Sequence, residues 1–247
     1  MYRRIQRVVA ARLHRKLATR VSPKPIISFT FDDFPSSAWT VAGKMLGDAE
    51  VHGTYYTARG LMGMATPVGE MFGRDDLESL VSAGHELACH TFDHALCSDL
   101  VTAALVKNCQ NNRQRIAEEL NGYGLTNFSF PEGVVTLGAK LALSSIYITC
   151  RTIEPGINRD PVDFAFLRAN RVYSQFGISR VKEMIRQNAE EQGWLVLYTH
   201  GVSDRPSPYG CTPTEFAEVL RCAVDSQADI LSIVEATERF QVLQPGG

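Results

Sequence analysis

Two histidines separated by three residues, His90 and His94, have a spacing that suggests metal chemistry. On a helical turn, residues four apart face the same side, so both imidazoles can reach one ion. An apolar run at residues 87–89 precedes His90 and is typical of a short buried strand. The pattern therefore predicts a metal-binding pair where a strand ends, although the pair alone is also compatible with two histidines that bind no metal.

Two adjacent carboxylates, Asp32 and Asp33, follow a second apolar run at residues 26–31. A Phe34-Pro35 pair then ends the strand. Neighbouring side chains at a strand end point in different directions, so one carboxylate can bind a metal while the other stays free as a base. This division of roles suits metal-assisted hydrolysis. A solvated Asp-Asp turn is the alternative.

Strand-like and helix-like segments alternate along the chain in seven or eight units, a pattern that favours an α/β barrel of parallel strands. A third apolar run, residues 194–199, leads into His200, which could act as a general acid. In such barrels the chemistry gathers at the carboxyl ends of the strands. The five side chains named above would meet at that rim.

The composition is that of one sizeable domain, with 247 residues of which 45% are hydrophobic. The net charge of −2 is unevenly spread, because residues 1–24 hold eight Lys and Arg and no acid, whereas the remainder carries −10. Six cysteines lack CxxC spacing and are expected to be reduced thiols. Since no secretory or membrane-spanning apolar run is present, we expect a cytoplasmic chain.

The basic residues 1–24 form a predicted N-terminal arm, and residues 25–247 form the predicted catalytic domain. Apolar residues recur in the arm at helical spacing: Ile5, Val8, Val9, Leu13 and Leu17. The arm could be a helix on an anionic membrane surface, giving peripheral membrane contact, or a helix packed on the domain or on a partner. No nucleic-acid motif accompanies it, so no nucleic-acid partner is expected.

Together the motifs resemble the polysaccharide deacetylase family, the NodB-homology carbohydrate esterases of family 4. The matching stretches are Thr30-Phe31-Asp32-Asp33, His90-Thr91-Phe92-Asp93-His94 and Leu197-Tyr198-Thr199-His200, and the resemblance covers about residues 25–235. It implies a distorted (β/α) barrel of about seven parallel strands. It also implies a hydrolase that removes an N-acetyl group from an amino sugar, in a polysaccharide or in a precursor of cell-surface polysaccharide synthesis.

The resemblance also implies roles for the side chains at the rim. Asp33, His90 and His94 would bind a divalent metal, Asp32 would take a proton from the attacking water, and His200 would protonate the leaving amine. Zn²⁺ is the expected ion, because it lowers the pKa of bound water to about 7. Co²⁺, Ni²⁺ and Fe²⁺ fit the same ligands.

The third motif departs from the family. Relatives have Arg-Pro-Pro-Tyr-Gly where residues 129–133 read Ser-Phe-Pro-Glu-Gly. The family tyrosine offers a backbone N–H to the oxyanion, and Glu132 can do the same. The family arginine orients the catalytic aspartate, and Arg151 or Arg159 is expected to replace it from the next strand. We predict that Arg159→Met slows turnover without loss of metal.

The altered third motif, together with an unrecognisable fourth motif, leaves two further functions open. One is a different amide or cyclic-amide hydrolase on the same scaffold. The other is a catalytically impaired relative that binds glycans.

Overall fold

A sheet of parallel strands forms the centre of the fold in a computed structural model that describes residues 10–243. In chain order the strands are β1 (Leu17–Arg20), β2 (Ile26–Asp32), β3 (Thr54–Thr57), β4 (Ala65–Thr66), β5 (Gly69–Glu70), β6 (Glu86–Cys89), β7 (Phe128–Ser129), β8 (Cys150–Arg151), β9 (Val162–Asp163), β10 (Asn170–Arg171), β11 (Trp194–Thr199), β12 (Asp229–Ile230) and β13 (Phe240–Val242). The α-helices between them are α1 (Lys44–Asp48), α2 (Arg74–Ser82), α3 (Thr102–Glu119), α4 (Leu137–Ser144), α5 (Ser179–Glu191), α6 (Pro213–Asp225) and α7 (Ile233–Thr237).

Seven of these strands lie side by side in the order β10-β11-β2-β3-β6-β7-β8, and β12 pairs with the first two residues of β2. Every pairing in this sheet is parallel. A parallel bridge between Arg151 and Leu167 brings the segment before β10 beside β8, so the sheet curls toward closure. The predicted distorted barrel of about seven parallel strands is confirmed.

The alternation of side chains along the strands separates two hydrophobic layers. In β11, Leu195 and Leu197 pack in the larger core with residues of the surrounding helices, whereas Trp194, Val196 and Tyr198 pack in a smaller core inside the barrel. Because both faces are covered, β2 and β11 are buried at every position. The sequence shows this as unbroken apolar runs.

The N-terminal segment corrects the predicted domain boundary. The predicted amphipathic arm does not extend to residue 24, because residues 17–20 form β1, which pairs antiparallel with β13 and β9. The buried amino group of Lys140 donates to the carbonyls of Ala10 and Leu13 and pairs with Asp163. These contacts make residues 10–20 part of the domain. The predicted apolar positions at residues 5, 8 and 9 lie outside the described residues.

Short elements connect the strands of the main sheet. The segment between β3 and α2 contains the antiparallel pair β4 and β5. Helix α3 begins at Thr102 without a side-chain cap, and just before it the Ser98 hydroxyl donates to the Asp99 carboxylate.

All six cysteines are free thiols, and five of them are buried. This agrees with the lack of CxxC spacing. Within residues 10–243, no helix combines the length and the apolar character needed to cross a bilayer.

Candidate active site

The rim at the carboxyl ends of the strands collects the predicted polar side chains. Asp32 is the last residue of β2, His90 directly follows β6, and His200 directly follows β11. The parallel register pairs Phe31 with Thr199, so Asp32 and His200 emerge side by side. The strand alternation that turns Tyr198 into the barrel interior also turns His200 toward it.

Asp33, His90 and His94 bring their ligand atoms together, all within 4.8 Å of one another. The Asp33 Oδ1 atom lies 3.5 Å from His90 Nε2 and 3.2 Å from His94 Nε2. Within the described part of the chain, this buried oxygen has no hydrogen-bond partner. A buried oxygen without a donor is costly unless a cation satisfies it, so these three side chains fit a divalent metal.

The ring of His90 is oriented for metal binding. Its Nδ1 donates to the carbonyl of Ser129 at 2.8 Å, which leaves the lone pair of Nε2 directed at the cluster. Burial lowers the pKa of His90 to about 4, although the charge of Asp32 opposes this shift. The imidazole is therefore neutral at physiological pH, the form that binds metals.

The backbone that presents the cluster is a loop and not the helical turn that the His90 and His94 spacing suggested. Asp33, Thr91 and His94 adopt left-handed conformations with φ of 62°, 62° and 57°. The side chain of Asn108 holds this loop: it accepts from the Phe92 amide at 2.6 Å and donates to Asp93 at 2.8 Å. The two imidazoles converge because the loop folds back on itself.

Asp32 is buried beside a fully buried guanidinium, that of Arg151, which donates to its carboxylate. The Nη2 atom of Arg151, which makes this contact, also donates to the Ser129 hydroxyl at 2.6 Å. Burial alone would raise the pKa of Asp32, but the charge of Arg151 and its hydrogen bond hold that pKa below its ordinary value. The carboxylate is therefore ionised at neutral pH, as a base must be.

His200 closes the other side of the site. Its Nδ1 donates to the carbonyl of Tyr209 at 3.1 Å, and its Nε2 lies 3.7 Å from Asp33 Oδ2. The hydrogen bond fixes the ring and leaves Nε2 free to carry a proton into the cavity.

Comparisons with known proteins place the chain in a family. A family model described as "Polysaccharide deacetylase" matches residues 19–149, more than half of the chain. The chain belongs to the polysaccharide deacetylase family. No curated protein sequence matches it.

Solved structures of carbohydrate esterases and deacetylases share the fold at low sequence identity. The Xyl-CE4 domain of a multidomain xylanase from the hindgut metagenome of Trinervitermes trinervoides has a TM-score of 0.59 at 14% identity, covering 87% of this chain and 90% of its own. The peptidoglycan deacetylase PdaC from Bacillus subtilis has a TM-score of 0.56 at 14% identity, covering 88% and 93%. A family 4 acetyl xylan esterase from Clostridium thermocellum, in complex with cobalt, has a TM-score of 0.56 at 14% identity, covering 86% and 90%.

In this member of the polysaccharide deacetylase family, Arg159 does not lie at the rim, contrary to the prediction from the sequence. Arg159 is 59% exposed and pairs with Glu191 at 2.6 Å. Its neighbour Asn158 bridges Trp194, the first residue of β11, so Arg159 lies near the amino ends of the strands, opposite the rim. Arg151, the other arginine considered from the sequence, occupies the place beside Asp32 because β8 aims it into the barrel.

Glu132 lines the same cavity as the cluster, a space of about 730 Å³. It adopts a left-handed conformation with φ of 52°, and Gly133 follows with φ of 64°. A Cβ on Gly133 would lie only 2.2 Å from Ile153 Cγ1, so glycine is required there. This tight turn places the Glu132 backbone at the cavity wall.

The cavity is also lined by residues for which the sequence analysis predicted no role: Arg171, Tyr173, Tyr198 and Tyr209. Of these, only Tyr198 could have been predicted from the sequence. It lies two residues before His200 on one strand, and side chains two apart share a face. Tyr173 and Tyr209 come from irregular segments, and Arg171 ends the two-residue strand β10.

Proposed function

We propose that this protein is a metal-dependent hydrolase that removes an N-acetyl group from an amino sugar, in a polysaccharide or its biosynthetic precursor, using the residues at this rim. The observation that carries the proposal is the convergence of Asp33, His90 and His94 around an unpartnered carboxylate oxygen, next to an ionised Asp32. Three ligands and an adjacent free base form the arrangement that hydrolysis of an amide requires.

The protein side chains divide the reaction between them. Asp32 accepts the proton of the attacking water, and Arg151 keeps that carboxylate ionised and oriented. The Glu132 backbone N–H donates to the oxyanion, and His200 delivers a proton from Nε2 to the departing amine. A divalent cation held by the Asp33 cluster would supply Lewis-acid polarisation of the acetyl carbonyl.

We propose Zn²⁺ as the resident ion. Two imidazoles and one carboxylate are a common ligand set for hydrolytic zinc, and they leave positions open for water and substrate. Co²⁺, Ni²⁺ and Fe²⁺ accept the same donors, so metal analysis of the purified protein decides the identity.

The contact between Arg151 and Asp32 favours an active enzyme over a glycan-binding relative without catalysis. The loss of the motif arginine at residue 129 was the reason to consider an impaired protein. In this protein the guanidinium of Arg151, on β8, contacts Asp32, the aspartate that the family arginine would orient. It also donates to Ser129, which stands in place of that arginine. The base is therefore still held and charged.

Acetate release from N-acetylglucosamine oligomers, with and without a chelator and with Zn²⁺ restored, tests this function. We expect Asp32→Asn to keep one equivalent of metal and to lower kcat by about 10²-fold or more, because the base is lost while Asn still accepts from Arg151. His90→Ala should lose both metal and activity. Near-full activity of Asp32→Asn would show that the assigned base is wrong.

A further inference from the structure

Arg171 lies on the wall of the catalytic cavity and has no role in the chemistry described above. It is held on strand β10, where its backbone pairs with Tyr198 of β11. Adjacent strands lie about 4.8 Å apart, so this arginine is placed close to the segment that delivers His200. Its position is fixed by the barrel and not by a free loop.

The guanidinium of Arg171 stacks on Phe176, with its Cζ atom 4.2 Å from the centroid of the phenyl ring. Stacking uses the face of the planar group and leaves its N–H edges free to bind. Phe176 itself is 56% exposed, so it serves as a support at the surface. The arginine is held in place before any ligand arrives.

No carboxylate pairs with Arg171 among residues 10–243, in contrast to Arg59, Arg159 and Arg186. Beyond residue 24 the chain has 27 acidic residues against 17 basic ones, so acidic partners are abundant. An exposed arginine on an active-site wall that lacks such a partner presents a positive charge to whatever enters the cavity.

We propose that Arg171 binds an anionic group of the substrate, and hence that the preferred substrate is an acetamido sugar that carries phosphate or carboxylate near the acetamide. This inference rests on the proposed function. A planar guanidinium donates two parallel hydrogen bonds to such oxygens, which a neutral hydroxyl cannot accept in the same way.

The size of the cavity permits one ligand to touch both sites. A volume of about 730 Å³ includes Arg171, Tyr173 and Tyr209 together with the metal-binding cluster. Small-molecule sites typically have about 300–1,000 Å³, so a sugar with one charged substituent can reach Arg171 while its acetamide lies beside Asp32.

Binding and turnover are measured on the zinc-loaded full chain. Glucose 1-phosphate and glucose serve as ligands that have no acetamide, titrated by calorimetry. N-acetylglucosamine, N-acetylglucosamine 1-phosphate and N-acetylmuramic acid serve as substrates, and the last two separate phosphate from carboxylate. The variants are Arg171→Met, Arg171→Lys and, as a matched control, Arg221→Met, which changes an exposed arginine on α6.

We expect Arg171→Met to weaken binding of glucose 1-phosphate about tenfold and to lower kcat/KM for the anionic substrates by a similar factor. Binding of glucose and turnover of N-acetylglucosamine should stay within about twofold, Arg171→Lys should be intermediate, and Arg221→Met should match the wild type. Equal binding of glucose 1-phosphate by wild type and Arg171→Met, or no binding by wild type, overturns the inference and leaves the proposed deacetylase untouched. Binding that depends on Arg171 without any acetate release supports the anion site and contradicts the proposed function.

Discussion

At the scale of single residues, the decisive feature is the exchange between positions 129 and 151. The resemblance to the family puts an arginine at residue 129, whereas here Ser129 occupies that place and Arg151 binds Asp32. The two residues are register partners on β7 and β8, and their side chains are hydrogen-bonded. The two side chains therefore occupy one shared space beside Asp32.

This exchange can be tested by reversing it. Arg151→Ser should lower kcat about 10-fold to 100-fold, since residues that orient an active-site group typically have effects of that size. The double variant Ser129→Arg/Arg151→Ser should recover at least about tenfold of the loss, because an arginine again reaches Asp32. Steady-state acetate release measures both.

Arg159→Met is the matched control for this exchange. We now expect its rate to stay within about twofold of the wild type, because Arg159 pairs with Glu191 near the opposite end of the barrel. A loss equal to that of Arg151→Ser would contradict the assignment of Arg151 as the positioning arginine.

At the scale of elements, the strands place chemistry at their carboxyl ends and stability at their amino ends. His85 directly precedes β6 at the amino end, where its Nδ1 accepts from the Gly53 amide at 2.9 Å. Its ring packs edge-on against Trp39, with centroids 5.2 Å apart. Burial, and then the charge of His52, lower the pKa of His85 to about 4.

The depressed pKa of His85 predicts acid sensitivity. The unfolded chain binds the proton at about pH 6.5 and the folded chain only at about pH 4, so stability is unaffected above 6.5 and falls as the pH drops from 6.5 toward 4. The loss should be on the order of 2 kcal/mol, measured by denaturant unfolding across this range.

Replacing the histidine removes this titration. His85→Gln should lower stability at pH 7, because the hydrogen bond to Gly53 is disturbed, but should make the pH dependence between 6.5 and 4 less steep, with the contribution of His90 left in place. His14→Gln, a change at an exposed histidine, is measured alongside as the control. An equally steep slope in His85→Gln would show that another group controls the acid response.

At the scale of the whole molecule, the N-terminal segment is built into the domain. The strand β1 lies between β13 and β9 in a second, three-stranded sheet. Lys140, which is fully buried, depends on the carbonyls of Ala10 and Leu13 for two of its hydrogen bonds. Removing this segment would leave β13 and β9 without the strand that joins them and leave a buried charge with fewer partners.

Deletion of residues 1–24 should therefore lower the midpoint of thermal unfolding by about 10 °C or more. Several kcal/mol of unfolding free energy are lost, and each kcal/mol shifts the midpoint of a chain of this size by about 2–4 °C. The control keeps the full length and changes Arg12→Gln and Arg15→Gln, two exposed arginines, with no expected effect on the midpoint. An unchanged midpoint in the deletion would mean that the segment is dispensable for the domain.

The sequence by itself determined the type of sheet, the carboxyl ends of β2, β6 and β11 and the group of polar residues at the rim. Asp32, Asp33, His90 and His200 each follow a buried apolar run, and the carboxyl ends of parallel strands share one edge. These features are local, so their order along the chain was enough to predict them.

Only the tertiary structure decided which arginine stands beside Asp32, that residues 17–20 form a strand, and that Arg171 faces the cavity. Each depends on register between distant strands or on the course of an irregular segment. A long side chain such as that of Arg151 or Arg159 can reach many partners, and only the packing of the whole barrel determines which partner it contacts.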